Sequence, residues 1–159
     1  MNIRPTARVV LFNKDNQVLL LKMKIGDDLF WLTPGGKIED GETAFNTAKR
    51  ELFEETGINE VTFLSDSHVF YYEHVDNCNG KPTFFKEHIF VAYAQNTNVT
   101  FDNLMDYEKN EISGFVWWDI AQFIEKKEEL FPKNLAEDIQ TFIHQNLTVN
   151  TEKSIVKEI

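Results

Sequence analysis

The stretch from Gly36 to Ile58, GKIEDGETAFNTAKRELFEETGI, decides how this chain of 159 residues is interpreted. Its second half predicts a helix, on which Glu51, Glu54 and Glu55 share a face because residues three and four positions apart are neighbours. Carboxylates this close repel one another, and these also lie near the negative end of the helix dipole. A bound divalent cation would turn that repulsion into attraction. The stretch therefore indicates a metal site, with a solvated acidic helix face as the alternative.

Local signals predict where this helix begins and ends. Thr43 is a typical N-cap, and Gly57 suits the left-handed position that follows a helix. Small and apolar residues at every fourth position predict a face that packs on a sheet. They are Ala44, Ala48 and Leu52. The acidic residues occupy a different sector, turned toward a turn predicted at Pro34-Gly35-Gly36.

The rest of the chain predicts further strands and helices around this segment. We expect strands over residues 6–12, 17–23, 29–32, 61–73, 83–95 and 114–118, a polar turn over 76–81, and helices over 43–56, 120–129 and 134–147. Strands, a helix, more strands and then helices predict an α/β (α+β) fold with a mixed sheet and helices on its faces. We expect one domain over residues 1–147 and a frayed tail over residues 148–159.

Composition excludes several classes of function. The formal net charge of −10 repels polyanions, which disfavours binding to DNA or RNA polymers. No apolar run approaches the roughly 20 residues that span a bilayer, and the N-terminus does not resemble a signal peptide. Cys78 is the single cysteine, which suits a reducing cytoplasm, and it lies in a polar stretch that predicts a turn without a chemical role.

The spacing of charged residues and glycines in this stretch is specific. Five residues separate Gly36 from Glu42, seven more follow, and then comes the run from Arg50 to Ile58, RELFEETGI. Every defined position of the Nudix box is matched, so the chain resembles the Nudix (MutT-like) hydrolases. The resemblance implies the Nudix fold, an α/β/α sandwich with a mixed central sheet. It also implies hydrolysis of a nucleoside diphosphate linked to another group, by attack of water on phosphorus with Mg²⁺ or Mn²⁺.

The resemblance also implies a metal-ligand set. Glu51, Glu54 and Glu55 would bind the cation through their carboxylates, and the main-chain carbonyl of Gly35 is expected to be a further ligand. Mg²⁺ prefers a few carboxylates together with water and phosphate oxygens, so this donor set agrees with the ion.

Catalytic roles are expected for Arg50, Glu54 and Glu111. In the family the arginine orients a glutamate, although a surface ion pair is the alternative for Arg50, and Glu42 is expected to brace the loop by accepting hydrogen bonds. The catalytic base in many relatives is a glutamate before a late tryptophan-containing strand. Glu111 stands at that place and Glu108 is the second candidate, with solvation as the alternative for both.

Some residues outside the box are weaker candidates. His88 lies on an aromatic strand, where a histidine packed and hydrogen-bonded in the fold is commoner than a base. Aromatic residues on strands usually fill cores, although such side chains also stack on nucleobases. The stacking candidates are Trp31, Tyr72, Phe84 and Phe85. Arg4 and Arg8 lie near the first strand, where solvation is commoner than a phosphate contact.

The substrate stays open at the level of sequence. Markers of subfamilies that act on ADP-ribose, dinucleoside polyphosphates or coenzyme A are absent or misplaced, which leaves a nucleoside triphosphate or a nucleotide sugar. The expected partner is therefore a small nucleotide or nucleoside diphosphate derivative, without a nucleic acid polymer or a membrane, and the oligomeric state is open. A nucleotide-binding module without catalysis is the main alternative, and an isoprenoid diphosphate isomerase is disfavoured because its box is altered.

Overall fold

The computed structural model describes residues 1–96, 98–100 and 111–158, with side chains up to residue 146. Its elements are β1 (Asn2–Phe12), β2 (Val18–Ile25), β3 (Asp28–Leu32), β4 (Gly35–Lys37), α1 (Ala44–Thr56), β5 (Val61–Phe63), β6 (Phe70–Cys78), β7 (Lys81–Ala94), β8 (Ile112–Trp118), α2 (Ile120–Glu125), β9 (Leu130–Phe131) and α3 (Leu135–Glu158).

One mixed sheet joins the strands of the described residues. Its strand order is β5-β7-β1-β2-β3-β9, with β4 paired to β1, β6 to β7 and β8 to β2. β1 runs parallel to β7 over its whole length, from the pair Asn2–Thr83 to the pair Phe12–Tyr93. Its other neighbours, β2 and β4, are antiparallel to it. The predicted mixed sheet is therefore confirmed.

Two apolar cores cover the two faces of this sheet. Because side chains alternate along a strand, β1 contributes to both cores. Ala7, Val9 and Leu11 belong to the core beneath α1. Val10 and Phe12 belong to the core shared with α2 and α3. Helices thus flank the sheet on both faces, as predicted.

The helix α1 has the predicted caps and the predicted apolar face. The amide of Asn46 donates to the Thr43 hydroxyl, and Gly57 follows the helix with a φ of 72° while its amide donates to the carbonyl of Phe53. Ala48 and Leu52 are fully buried against the sheet. Burial of a leucine side chain stabilises the fold by about 2 kcal/mol, so this face anchors the helix, while Glu51 and Glu55 on its acidic face lie against β4.

The single strand predicted over residues 61–73 is wrong, because the structure divides it into β5 and β6. Between them the amide of Ser67 donates to the Ser65 hydroxyl, and that hydroxyl donates to the carbonyl of Ser67. Such local side-chain bonds favour a turn over continued pairing. The turn predicted over residues 76–81 narrows to Asn79 and Gly80, both with positive φ, as a two-residue hairpin turn requires.

The C-terminal elements also differ from the expected lengths. Asp119 caps α2 as predicted, but this helix ends at Glu125 rather than near residue 129. The chain beyond it forms β9, which pairs with β3, and the Trp31 amide donates to the carbonyl of Glu129. The helix α3 continues to Glu158, past residue 147 where it was expected to end. Within residues 1–96, 98–100 and 111–158, no helix is both long and apolar enough to cross a membrane.

Candidate active site

The two glycines before α1 lie in a strand. Gly35 and Gly36 pair with Arg8 and Ala7 of β1. A Cβ at Gly35 would lie 2.4 Å from the Cγ of Arg8 and 2.5 Å from the carbonyl oxygen of Ala7, and a Cβ at Gly36 would lie 2.5 Å from Oε1 of Glu51. The glycine turn predicted here is therefore wrong. These glycines are required because β4 passes so close to both β1 and the helix.

The guanidinium of Arg50 binds two carboxylates of α1 and one that precedes the helix. Arg50 donates from Nε and Nη2 to the two oxygens of Glu42, at 2.8 and 2.9 Å. Its Nη1 donates to Glu51 at 3.0 Å and to Glu54 at 3.1 Å. We call Glu42, Arg50, Glu51, Glu54 and Glu55 the α1 carboxylate cluster. The bidentate geometry distinguishes Arg50 from an ordinary surface ion pair.

The acid that precedes the helix is fixed by hydrogen bonds, as expected. Those from Arg50 and from the Glu39 amide lower the pKa of Glu42 to about 2. The Thr47 hydroxyl also donates to Glu42, at 3.1 Å. The hydrogen bond with Glu42 in turn raises the pKa of Arg50. Glu42 therefore stays ionised and joins the loop before α1 to the helix itself.

A cavity of about 300 Å³ lies where β4 meets α1. Glu51 and Glu55 line it and are only 9% and 6% exposed. The amide of Gly35 donates to Oε1 of Glu55 at 2.6 Å. Three basic side chains, those of Arg4, Arg8 and Lys37, line the same cavity. Two buried acids and three basic side chains thus line one cavity. This lining suits a ligand that carries both a divalent cation and phosphate groups.

The donor atoms around this cavity suit a hard divalent cation. Mg²⁺ favours one or two carboxylates together with water and phosphate oxygens, and the carboxylates of Glu51 and Glu55 line this cavity. Among the residues that the structure describes, however, no three His, Cys, Asp or Glu side chains are arranged to hold an ion. Glu51 and Glu54 accept from Arg50, and Glu55 accepts from Gly35. Metal binding therefore requires these carboxylates to reorient.

One of the two candidates for the catalytic base lies at this cavity. Glu111 immediately precedes β8, is exposed to solvent, and lines the cavity together with Glu51 and Glu55. Glu108 lies outside the described residues. The structure thus brings a glutamate remote in sequence to the acids of the box.

The histidine considered as a base has a structural environment. Nδ1 of His88 lies 3.1 Å from the carbonyl oxygen of Thr6, to which it donates. Its ring packs edge-on against those of His68 and Tyr71. These contacts agree with the expectation of a packed, hydrogen-bonded histidine.

A second charged cluster lies on the opposite face of the sheet. Nε of Arg8 donates to Oε2 of Glu87 at 2.9 Å, the Thr6 hydroxyl donates to the same oxygen, and Nε2 of His74 lies 3.4 Å from Oε1. Nη1 of Arg8 donates to the carbonyl of Thr33 at 3.1 Å. We call Thr6, Arg8, His74 and Glu87 the Glu87 cluster. The expected solvation of Arg8 is wrong, since its side chain is only 12% exposed.

The sequence analysis missed the Glu87 cluster, although β7 carried a signal for it. Glu87 stands two residues before Ile89, which is fully buried in the core shared with α2 and α3. An acid in such a row of buried residues needs a partner. Burial raises the pKa of Glu87, but Arg8, Thr6 and His74 outweigh that effect and hold it below its usual 4.5. The carboxylate is therefore charged while buried.

A larger cavity, of about 510 Å³, opens beside the Glu87 cluster. Of the four aromatic residues considered for base stacking, Phe85 lines it. Trp31 is buried in the core, the Tyr72 hydroxyl donates to Asp138, and Phe84 lies beneath the ammonium group of Lys86. Phe85 is thus the stacking candidate that the structure places at a cavity.

The fold and the box together define a family. A family model described as a NUDIX domain matches residues 2–139, and the chain belongs to this family. The RNA pyrophosphohydrolase of Wolbachia sp. subsp. Drosophila simulans (strain wRi) is 36% identical over 64 residues, which are 40% of this chain and 39% of that protein. A Bacillus subtilis (strain 168) protein, provisionally named as an 8-oxo-dGTP diphosphatase, is 45% identical over 53 residues, 33% of this chain and 34% of that protein. The matched part thus spans little more than a third of each of these curated relatives.

The fold itself has counterparts among solved structures. The E. coli dihydroneopterin triphosphate pyrophosphohydrolase superposes with a TM-score of 0.67 at 19% identity, over 91% of this chain and 99% of that one. At this identity the likeness establishes the fold, and it confirms the predicted sheet flanked by helices.

Proposed function

We propose that the protein hydrolyses the pyrophosphate bond of a nucleoside diphosphate linked to another group, with Mg²⁺ or Mn²⁺. One observation carries the proposal: Glu51 and Glu55, both buried, line a solvent-accessible cavity together with Arg4, Arg8 and Lys37. Buried acids that lie close together repel one another, and a divalent cation that arrives with a polyphosphate would relieve that repulsion. The basic residues would neutralise the phosphate charge that remains after the cation has bound.

The metal-holding residues in this proposal are Glu51, Glu54, Glu55 and the carbonyl of Gly35. A cation bound there neutralises the pyrophosphate and acidifies a water molecule. Arg50 acts by holding Glu51 and Glu54, so it determines how far these acids reorient toward the cavity.

Glu111 is the proposed base that takes the proton from the attacking water. It lines the same cavity as the buried acids, and its exposure gives it direct access to water. Glu108 is the alternative. Replacing each separately by glutamine distinguishes them, because the pH dependence of kcat reports the base that acts in the bound complex.

The substrate is proposed to be a small nucleotide, with a nucleoside triphosphate or a nucleotide sugar as the first candidates. The names of similar proteins add RNA, 8-oxo-dGTP and dihydroneopterin triphosphate. The net charge of −10 favours small molecules over a polymer, and the single cysteine favours the cytoplasm.

Phosphate release from a panel of these compounds tests the proposal. We expect turnover of at least one of them with millimolar Mg²⁺ or Mn²⁺, and loss of that turnover in EDTA. Turnover that persists in EDTA contradicts the metal assignment. Binding of a nucleotide without any turnover, with either metal, supports the alternative of a binding module. The Arg50 hydrogen bonds to Glu51 and Glu54 favour that alternative, because they occupy two of the proposed ligands.

A further inference from the structure

We propose that the cavity beside the Glu87 cluster binds the ring of the substrate, and that Glu87 selects a ring with two adjacent N–H donors. Guanine has such an edge, at N1 and at its 2-amino group. This inference rests on the proposed function for the identity of the ligand as a nucleotide. It adds the class of base, which the carboxylates of α1 do not determine.

The first argument is the state of the Glu87 carboxylate. Glu87 is 3% exposed, yet it lines the cavity. Oε2 accepts from Thr6 and from Arg8, whereas the described partner of Oε1 is His74, at the long distance of 3.4 Å. A buried carboxylate oxygen accepts more than one hydrogen bond. Oε2 therefore already has two donors, and Oε1 keeps the larger remaining capacity to accept a hydrogen bond from a ligand.

The second argument is the shape of the surrounding walls. The rings of His74 and Phe85 stack at 4.9 Å and 8°. Phe131 packs edge-on against His74 at 5.8 Å, and its ring lies 6.1 Å from that of Phe30. Leu29, which is 55% exposed, adds an apolar side chain to the lining. Aromatic and aliphatic side chains around a few polar atoms suit a flat heterocycle.

The third argument is the hydrogen-bonding pattern of the bases. A carboxylate only accepts hydrogen bonds. Guanine presents two adjacent donors on its Watson–Crick edge. Adenine and cytosine present one donor beside a ring-nitrogen acceptor, and uracil presents one donor between two carbonyls. Oε1 can accept from both donors of guanine, whereas the other bases place an acceptor beside their single donor, and an acceptor that faces the carboxylate is costly in a buried site.

The fourth argument is the direction in which the phosphates must lie. Asp28, Asp76 and Glu129 also line the ring cavity, so it repels a phosphate. Arg8 lines both this cavity and the smaller one that contains Glu51. A nucleotide whose base lies beside Glu87 can therefore direct its phosphates past Arg8 toward the acids of α1.

Calorimetric titration of the full chain with nucleoside monophosphates in EDTA tests this inference without metal or catalysis. We expect guanosine monophosphate to bind at least about tenfold more tightly than the adenosine and uridine compounds, because hydrogen bonds to a charged group are stronger than those between neutral groups. Inosine monophosphate keeps N1–H and lacks the 2-amino group, so its affinity should fall between them. Equal affinities for the guanosine and adenosine compounds overturn the inference.

The variant Glu87→Gln locates the selecting group. Glutamine keeps an acceptor for Arg8 and Thr6 but presents an amide donor in place of one oxygen. Affinity for guanosine monophosphate should fall to about that of adenosine monophosphate, which itself should change little. The exposed neighbour of His74 on β6 provides the control, since Glu73→Gln should preserve the tenfold ratio. If Glu87→Gln does not fold, the series of bases with the unaltered protein still decides.

Two further experiments distinguish guanine from a pterin as the bound ring, and distinguish failure of this inference from failure of the proposed function. Pterins carry the same pair of adjacent donors as guanine. Guanosine and pterin, both without phosphate, are therefore compared as competitors of guanosine monophosphate. The stronger competitor identifies the ring, and no competition by either overturns the inference. Turnover of triphosphates without a preference for guanine leaves the proposed function standing and overturns the base assignment. Tight binding of guanosine monophosphate without turnover of any triphosphate supports the base assignment and overturns the proposed function.

Discussion

The α1 carboxylate cluster and the Glu87 cluster both place acids around an arginine, but they differ in charge balance. In the first, three carboxylates accept hydrogen bonds from Arg50, and the fourth, that of Glu55, accepts one from the Gly35 amide. In the second, one carboxylate meets Arg8 together with a hydroxyl and an imidazole. The excess of acids over basic side chains is therefore larger in the α1 carboxylate cluster than in the Glu87 cluster.

This difference teaches how similar side chains acquire different tasks. An excess of carboxylates is stabilised by an added cation, and the ion then becomes part of the site. A balanced and buried pair gains nothing from an ion, because its charge is already compensated. It instead holds an acceptor in a fixed position, which suits recognition of a neutral ring. The predictions that follow test this division, from the largest expected effect to the smallest.

Removing negative charge from the α1 carboxylate cluster should have the largest effect, a loss of activity. For the double variant Glu54→Gln and Glu55→Gln we expect kcat/KM to fall by about a hundredfold or more, because changes even outside the direct ligands of a metal cost 10- to 100-fold. Glu60→Gln, an exposed acid just after α1, is the matched control and should retain full activity. Activity of the double variant within about threefold of the unaltered protein would remove both acids from the metal site.

The two glycines of β4 offer a sharper comparison. A methyl group at Gly35 meets the backbone oxygen of Ala7, which cannot move alone, so Gly35→Ala should lower the free energy of unfolding by about 1–3 kcal/mol. A methyl group at Gly36 meets the end of the Glu51 side chain, which can rotate away. Gly36→Ala should therefore reduce activity by about tenfold with little change in stability. Urea unfolding and kcat/KM measure the two effects, and equal destabilisation by both variants would contradict this reasoning.

Replacing Arg50 should make the thermal stability of the protein depend more on metal bound at the α1 carboxylate cluster. Lysine lacks the bidentate fork, so Arg50→Lys should lower the melting temperature in EDTA by about 2–6 °C. Saturating Mg²⁺ should then raise the melting temperature more in the variant than in the unaltered protein, since the ion relieves a larger repulsion. Thermal unfolding with and without Mg²⁺ measures this, and an identical Mg²⁺ effect in both proteins would count against a shared site.

The Glu87 cluster should make the melting temperature depend on pH, and this is the smallest of the expected effects. Because the folded-state pKa of Glu87 lies below 4.5, its ionised form contributes stability above about pH 4.5, and this contribution is lost as the pH falls through the folded-state pKa. The melting temperatures of the unaltered protein and of Glu87→Gln should differ by a constant amount from pH 7 to 5, and should converge by about 1–3 °C at lower pH. Parallel curves down to pH 3 would mean that folding does not lower the pKa of Glu87.

The α1 carboxylate cluster was predictable from sequence because its signals are local. The caps at Thr43 and Gly57, the spacing of the glutamates and the pairing of Arg50 with Glu54 all fall within one helix and its flanks. The Glu87 cluster was not predictable in the same way. It requires the parallel pairing of β1 with β7, which no local pattern encodes.

The errors in the sequence analysis have the same origin. Gly35 and Gly36 have the composition of a turn, but the pairing of β4 with β1 extends them. The helix predicted over residues 120–129 ends at Glu125, and the chain after it pairs with β3 through β9. Tertiary contacts override local preference wherever a strand has an unsatisfied edge.

The pairing of β1 with β7 also constrains how the chain reaches its fold. Arg8 and Glu87 are 79 positions apart, and closing so long a loop costs entropy before any contact compensates it. A nascent chain that has emerged only to residue 80 holds the whole Nudix box, yet it lacks Phe90 and Ala92, on which α1 packs. We therefore expect assembly of both clusters to wait for the synthesis of β7, so that the segment most conspicuous in the sequence is stabilised late.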